Sequence, residues 1–123
     1  MESEDLISAI QVMVDTKNCS VVFSAAKYPH PIERAFKKDK INNIRMLGKE
    51  NANNRTQDFK PAFYDVGQFY LCKSEIVRVG GNLLRNDSKF ILIPRKRAVD
   101  IDNFEDLELA KVILKNTIIK NDK

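Results

Sequence analysis

The chain reads as an α/β layer arrangement, because strand-like and helix-like segments alternate along it. Three observations carry this. The runs S-V-V-F-S-A-A at 20–26, F-Y-D-V-G-Q-F-Y-L-C at 63–72 and K-F-I-L-I at 89–93 have the length and the β-branched or aromatic content of strands. Segments at either end of the chain place apolar residues at helical spacing instead. The 123 residues, 43% hydrophobic and 31% charged, suffice for one domain spanning 1–123 with one core, not two.

The elements follow in order. Residues 3–17 predict a helix, with Ser3 as N-cap, Glu4 and Asp5 in the first turn, and Leu6, Ile10, Met13 and Val14 at helical spacing. Residues 20–26 predict a buried strand. The K-Y-P-H-P run at 27–31 forces an extended or turning backbone, since each proline also restricts its predecessor. The next segment, I-E-R-A-F-K, fits a helical turn and an extended piece equally. Residues 44–47 suggest a short strand, and 48–61 a long polar loop of a kind that is often functional. Gly67 interrupts the strand at 63–72, which signals a bulge or a close approach. Residues 74–84 suggest a short helix ending at Gly80-Gly81, and Pro94 stops the strand at 89–93. Residues 103–120 give the clearest helix, with Phe104, Leu107, Ala110, Leu114 and Ile118 near one face.

Composition narrows the classes. The net charge of +4 is interleaved rather than blocked, and it suits an anionic small molecule as readily as nucleic acid. Nucleic acid ranks low as a partner, because the aromatics gather in one apolar strand without an accompanying recognition pattern. Cys19 and Cys72 are too few for a protein zinc site and read as reduced, buried thiols. The acidic N-terminus lacks the features of a secretory signal, and no apolar run approaches 18 residues. A cytoplasmic protein without a membrane span is the expectation.

The chemistry gathers at residues 94–110, P-R-K-R-A-V-D-I-D-N-F-E-D-L-E-L-A. In an extended chain Asp100 and Asp102 share a face. Two such charges about 4 Å apart repel by roughly 4 kcal/mol at an effective dielectric near 20. A divalent cation or the nearby arginines would offset this, and Mg²⁺ often takes only one or two protein carboxylates, with water and phosphate completing its shell. The competing reading makes Asp102 the N-cap of the last helix with Glu105 at N3, and pairs Asp100 with Arg95 or Arg97. Arg95 and Arg97 share a face if extended and then form an anion clamp; otherwise they are a solvated basic strand end. Arg55 is either part of a solvated loop or a cation carried to an anionic ligand. Gln68 and Tyr70 point to one face, and a buried Gln68 amide needs partners. His30, between two prolines, reads as structural or exposed. The chain has no nucleophile elbow and no Walker loop, and glycines 48, 67, 80 and 81 build no phosphate cradle.

Taken together, S-E-D-L-I-S-A-I, V-F-S-A-A-K-Y-P-H-P-I-E-R-A-F-K, N-R-T-Q-D, F-Y-D-V-G-Q-F-Y and I-P-R-K-R-A-V-D-I-D-N-F-E-D-L-E-L-A resemble the acylneuraminate cytidylyltransferases, most closely the branch that activates pseudaminic acid. The resemblance covers the C-terminal half of such an enzyme. It implies part of a three-layer Rossmann-like nucleotide-diphospho-sugar transferase fold, with a mixed sheet flanked by helices. It implies transfer of CMP from CTP to a nonulosonic acid, pseudaminic or sialic, with release of pyrophosphate and help from Mg²⁺. By the match, Asp100 and Asp102 are catalytic metal ligands. Arg55, Gln68 and Tyr70 lie at the sugar-acid side, and Arg95 and Arg97 are supporting cations. The resemblance further implies a homodimer, or association with the N-terminal half that carries the CTP phosphate loop. That half is absent here, so the chain is expected to be truncated or split and inactive alone. Pro29-His30-Pro31 and Leu71 depart from the family's P-Y-P and Trp. The alternative functions are a non-catalytic sugar-acid or dimerisation module and, further down, a small basic nucleic-acid-binding protein.

Overall fold

The computed structural model describes residues 1–48 and 55–121. It is an α/β structure with a mixed sheet and helices. The elements are α1 (Ser3–Asp15), β1 (Val21–Lys27), β2 (Phe36–Lys38), β3 (Ile44–Met46), β4 (Phe63–Cys72), α2 (Ser74–Arg78), β5 (Lys89–Leu92) and α3 (Phe104–Asn121). They fall into two compact units: Met1–Ala26 with Asp65–Lys123, and Lys27–Tyr64.

The first unit is built on a three-stranded sheet in the order β4-β1-β5. β1 and β5 are parallel, with Val22 opposite Lys89 and Ala25 opposite Leu92. The ladder runs on as Ile93 N donates to Ala25 O at 2.7 Å. β4 runs antiparallel to β1: Lys73 N donates to Ser20 O, while Ser24, further along β1, meets Gln68, earlier in β4. Central β1 is the heart of the core, and Val21, Val22, Ser24 and Ala26 are wholly buried.

Of the apolar residues that mark a face of helix α1, only Met13 packs on this sheet. Ala9, with Val12 and Met13 beside it, meets Cys19, Val22, Phe69, Leu71 and Ile91. Leu6, Ile10 and Val14 stay exposed. Small Ala9 lets the helix approach closely, and Asp5, one turn earlier, is committed to a buried ion pair. The N-cap also differs from expectation. Ser3 Oγ turns to Glu4, and the first turn is closed by Glu2 N donating to Asp5 Oδ2 at 2.9 Å.

Gly67 sits at φ +70° in the middle of β4, and its amide donates to Asp65 Oδ1 at 2.9 Å. This is the bulge the sequence signals; a side chain at that φ would be strained. Helix α2 is shorter than the 74–84 pattern. Gly80 at φ +62° and the Gly81 N to Ile76 O bond close it at Arg78. Cys19 lies just ahead of β1 and is buried; Cys72 is half-buried; both are free.

In the second unit, I-E-R-A-F-K takes both readings in succession, a 3-10 turn at Ile32–Arg34 and then β2. β2 and β3 form an antiparallel hairpin pairing Phe36 with Met46 and Lys38 with Ile44. Asp39 Oδ1 holds its turn by accepting from Ile41 N and Asn43 N, each at 2.9 Å. Of the polar loop, residues 49–54 lie outside the described residues. Exposed Arg55 leads into a 3-10 turn at Thr56–Asp58. Among the described residues no helix is long and apolar enough to cross a membrane.

Candidate functional site

Pro94 ends β5 and pre-sets the backbone for a tight turn, so Arg95–Arg97 coil into a 3-10 helix rather than continuing extended. At three residues per turn, positions i and i+2 do not share a face. The clamp geometry expected for an extended Arg95 and Arg97 is therefore not formed, and the two arginines have different fates. Arg95 is exposed. Arg97 reaches back to α1, where Nη1 meets Asp5 Oδ2 at 2.6 Å and Nη2 meets Asp5 Oδ1 at 3.0 Å, with Glu2 Oε2 3.1 Å from Nη1. Asp5 is 7% exposed. The guanidinium fork holds the Asp5 carboxyl below its ordinary value, and the Glu2 amide adds to this against the opposing effect of burial.

Gln68 joins the same cluster. Its Nε2 donates to the Arg97 carbonyl, while its backbone amide donates to Ser24 Oγ at 3.0 Å. Gln68 Oε1 is shut off from solvent with no hydrogen-bond partner. Tyr70 OH donates to the Asp65 carboxylate across the bulge, and that bond, with burial, raises the phenol above its ordinary value. The Tyr70 ring stacks on Phe23 with centroids 6.3 Å apart, and Phe23 meets Phe90 at the same distance.

Asp100 and Asp102 are exposed, in non-strand backbone ahead of α3. Asp100 Oδ1 accepts from Ile101 N at 3.0 Å. The helix cap is made one residue later than the sequence suggests. Asn103 Oδ1 accepts from Asp106 N at 3.0 Å, and Asp106 Oδ2 accepts from Asn103 N and Asp102 N at 3.1 and 3.2 Å. An Asx-x-x-acid pattern fits both pairs, and Asn103/Asp106 is the one formed. The Asp102 carboxylate is thereby left without a capping role. Among the described residues, neither Asp100 nor Asp102 pairs with a cation. No group of three or more His, Cys, Asp or Glu stands ready to hold a metal among those residues. Asn103→Ala should lower stability by about 1 kcal/mol, whereas Asp102→Ala should leave it nearly unchanged. Urea unfolding of the two variants checks this assignment.

The structure thus brings Gln68 and Arg97 together and ties them to α1. It places Tyr70 with Asp65, and Asp100 and Asp102 at the entrance to α3. Arg55 belongs to the other unit. The partners Asp5, Ser24 and Asp65 were not marked by the sequence. Asp5 lies 92 positions from Arg97, and no local signal links them.

What the fold and site define is an α/β scaffold with two exposed carboxylates at a helix entrance and a polar cluster on the neighbouring sheet. The chain is 32% identical over 94 residues to the pseudaminic acid cytidylyltransferases of two strains of Campylobacter jejuni subsp. jejuni, covering 76% of this chain and 40% of each relative. It is 22% identical over 111 residues to a Helicobacter pylori protein described as pseudaminic acid cytidylyltransferase and UDP-2,4-diacetamido-2,4,6-trideoxy-beta-L-altropyranose hydrolase, covering 90% of this chain and 21% of that protein. No family model matches the chain. The chain is therefore a partial relative of the pseudaminic acid cytidylyltransferases and spans less than half the length of those it matches.

Proposed function

We propose that this chain forms part of a cytidylyltransferase that moves CMP from CTP to a nonulosonic acid, with pseudaminic acid as the first substrate to test and sialic acid as the second. The observation that carries this reading is the 94-residue similarity to enzymes of that name. On this reading the mixed sheet is a portion of a larger three-layer, Rossmann-like sheet. A sugar hydroxyl oxygen forms a bond to the α-phosphorus, the bond to pyrophosphate breaks, and the hydroxyl proton passes to solvent or a nearby base. Gln68 and Tyr70 contribute at the sugar-acid side, and exposed Arg95 and Arg55 supply charge for anionic groups. Arg97 acts as a positioning residue, because its fork is already held by Asp5.

The donor set suits Mg²⁺ in type. Asp100 and Asp102 are exposed hard oxygen donors, and the Asp102 carboxylate has no capping duty. They would hold the ion through one or two carboxylates, and the ion would neutralise charge on the phosphate oxygens. The four scattered glycines offer no cradle for a triphosphate, so the grip on CTP is assigned to residues outside this chain, in a further segment or a second polypeptide.

The test is pyrophosphate release from CTP, a nonulosonic acid and Mg²⁺, with and without a polypeptide bearing the glycine-rich phosphate loop. Activity is expected only with both pieces. In that complex, Asp100→Asn and Asp102→Asn should each raise the Mg²⁺ concentration for half-maximal rate by about tenfold or more, a loss of about 1.4 kcal/mol in metal binding. Unchanged Mg²⁺ titrations would remove both residues from the metal site. A second reading is a non-catalytic sugar-acid module. It predicts sugar-acid binding without turnover under every combination.

A further inference from the structure

The K-Y-P-H-P run at 27–31, which the CMP-transfer reading leaves unused, forms one wall of a cavity of about 200 Å³. Residues 59–62 form the other wall, and both lie in the second unit. Sites for whole small molecules usually span about 300–1,000 Å³, so this one suits a compact head group.

The lining is basic. Lys27, His30 and Lys60 contribute to it, and no Asp or Glu does. All three are exposed, so an incoming ligand can meet them. Among the described residues, neither lysine is in an ion pair. Two ammonium groups that share one cavity without a carboxylate repel each other, and an anion between them relieves this.

The frame that carries these groups is fixed in advance. Pro29, Pro31 and Pro61 lock their own φ. Tyr28 N donates to Ala62 O at 3.0 Å and so ties one wall to the other. The Tyr28 ring packs on Tyr64 with centroids 4.9 Å apart. Walls held this way spare part of the ordering cost of binding. The three prolines have no N–H and the Tyr28 amide is already used. Donors to a ligand are therefore side chains: the two ammonium groups, the His30 imidazole and the Tyr28 hydroxyl. Two cations in so small a space favour a doubly charged anion over a singly charged one, and lysine serves phosphate as a point charge.

We propose that this cavity binds a phosphate group, carried by free phosphate or by a phosphate monoester whose organic part stays outside. The site is independent of the CMP-transfer reading.

Inorganic phosphate is the first probe, acetate the singly charged control and phenyl phosphate the ester. Each is titrated into the full chain at constant ionic strength and followed by amide chemical shifts. Saturable one-to-one binding of phosphate is expected, with shifts centred on Tyr28, His30 and residues 59–62, and with acetate at least tenfold weaker. Lys27→Gln and Lys60→Gln should each weaken phosphate at least fivefold. Lys60→Arg keeps the charge and should retain binding, which separates a lost charge from a lost fold. Lys40→Gln removes the same charge from the β2–β3 turn and should leave the affinity unchanged. Phenyl phosphate at least as tight as phosphate identifies an ester as the ligand, and weaker binding identifies free phosphate. No saturable binding, equal affinity for acetate, or an equal loss in Lys40→Gln and the two cavity variants would each overturn the proposal.

Discussion

Arg97→Met is expected to lower the unfolding free energy by about 3 kcal/mol, the lower end of the range for breaking a buried ion pair. The lower end applies because the Arg97 side chain keeps 21% of its exposure while Asp5 is nearly sealed. The substitution keeps the length of the stem but leaves the Asp5 carboxylate buried and facing apolar atoms. Most of the loss is that abandoned charge. The double variant Asp5→Asn/Arg97→Met should therefore recover a large part of it, with asparagine retaining an oxygen for the Glu2 amide. Urea unfolding of the set decides the matter: a double variant as unstable as the single one would locate the cost elsewhere. The pH dependence has a definite sign. The Asp5 pKa is depressed in the folded state below 3.8, first by Arg97. Its contribution is fully present above the unfolded value and is lost as pH falls through the folded one. The gap between wild type and Arg97→Met should narrow on acidification below about pH 4.

Ile93→Ala should cost roughly 2–5 kcal/mol, as removal of a buried aliphatic side chain does when its surroundings relax only partly. Ile93 is 1% exposed, and its amide extends the β1–β5 ladder at 2.7 Å. It is the last fixed point before Pro94 and the Arg95–Arg97 turn, so a cavity here loosens the ground from which Arg97 reaches Asp5. Ile93→Val, which removes a single carbon, should cost about 0.5–1.5 kcal/mol. Equilibrium unfolding of both distinguishes a cavity effect from a general intolerance of change, since the latter would penalise the two alike.

Much of the fold was legible because punctuation and composition agreed. The strand Phe63–Cys72 has the expected limits, set off by Pro61 before it and a polar helix start after it. Its bulge was announced by Gly67. What escaped was register and distance. The acid-rich run D-I-D-N-F-E-D admits two capping pairs one residue apart, and pattern alone favours neither. For α1, hydrophobicity pointed to Leu6, Ile10, Met13 and Val14; Met13 does pack on the core, yet the other three stay exposed and the buried positions are Asp5 and Ala9. Close packing on a sheet rewards a small residue, and the carboxylate is admitted only because an arginine from the far end of the chain meets it. Arg95 and Arg97 form a matched pair only in an extended segment; the turn after Pro94 separates them. The carboxylates ahead of α3 were visible as a motif, but their surroundings were not.

The placement of the two thiols makes the molecule carry its own gauge of opening. Cys19 is wholly buried, with Sγ 3.5 Å from Val21 O, while Cys72 is half-buried. An alkylating reagent reaches the first only when the packing between α1 and β1 parts, so its labelling rate measures how often that seam opens. Cys72 in the same tube supplies the reference for reagent strength. The chain thus reports the integrity of its own core by mass spectrometry, at natural sequence and without an attached probe.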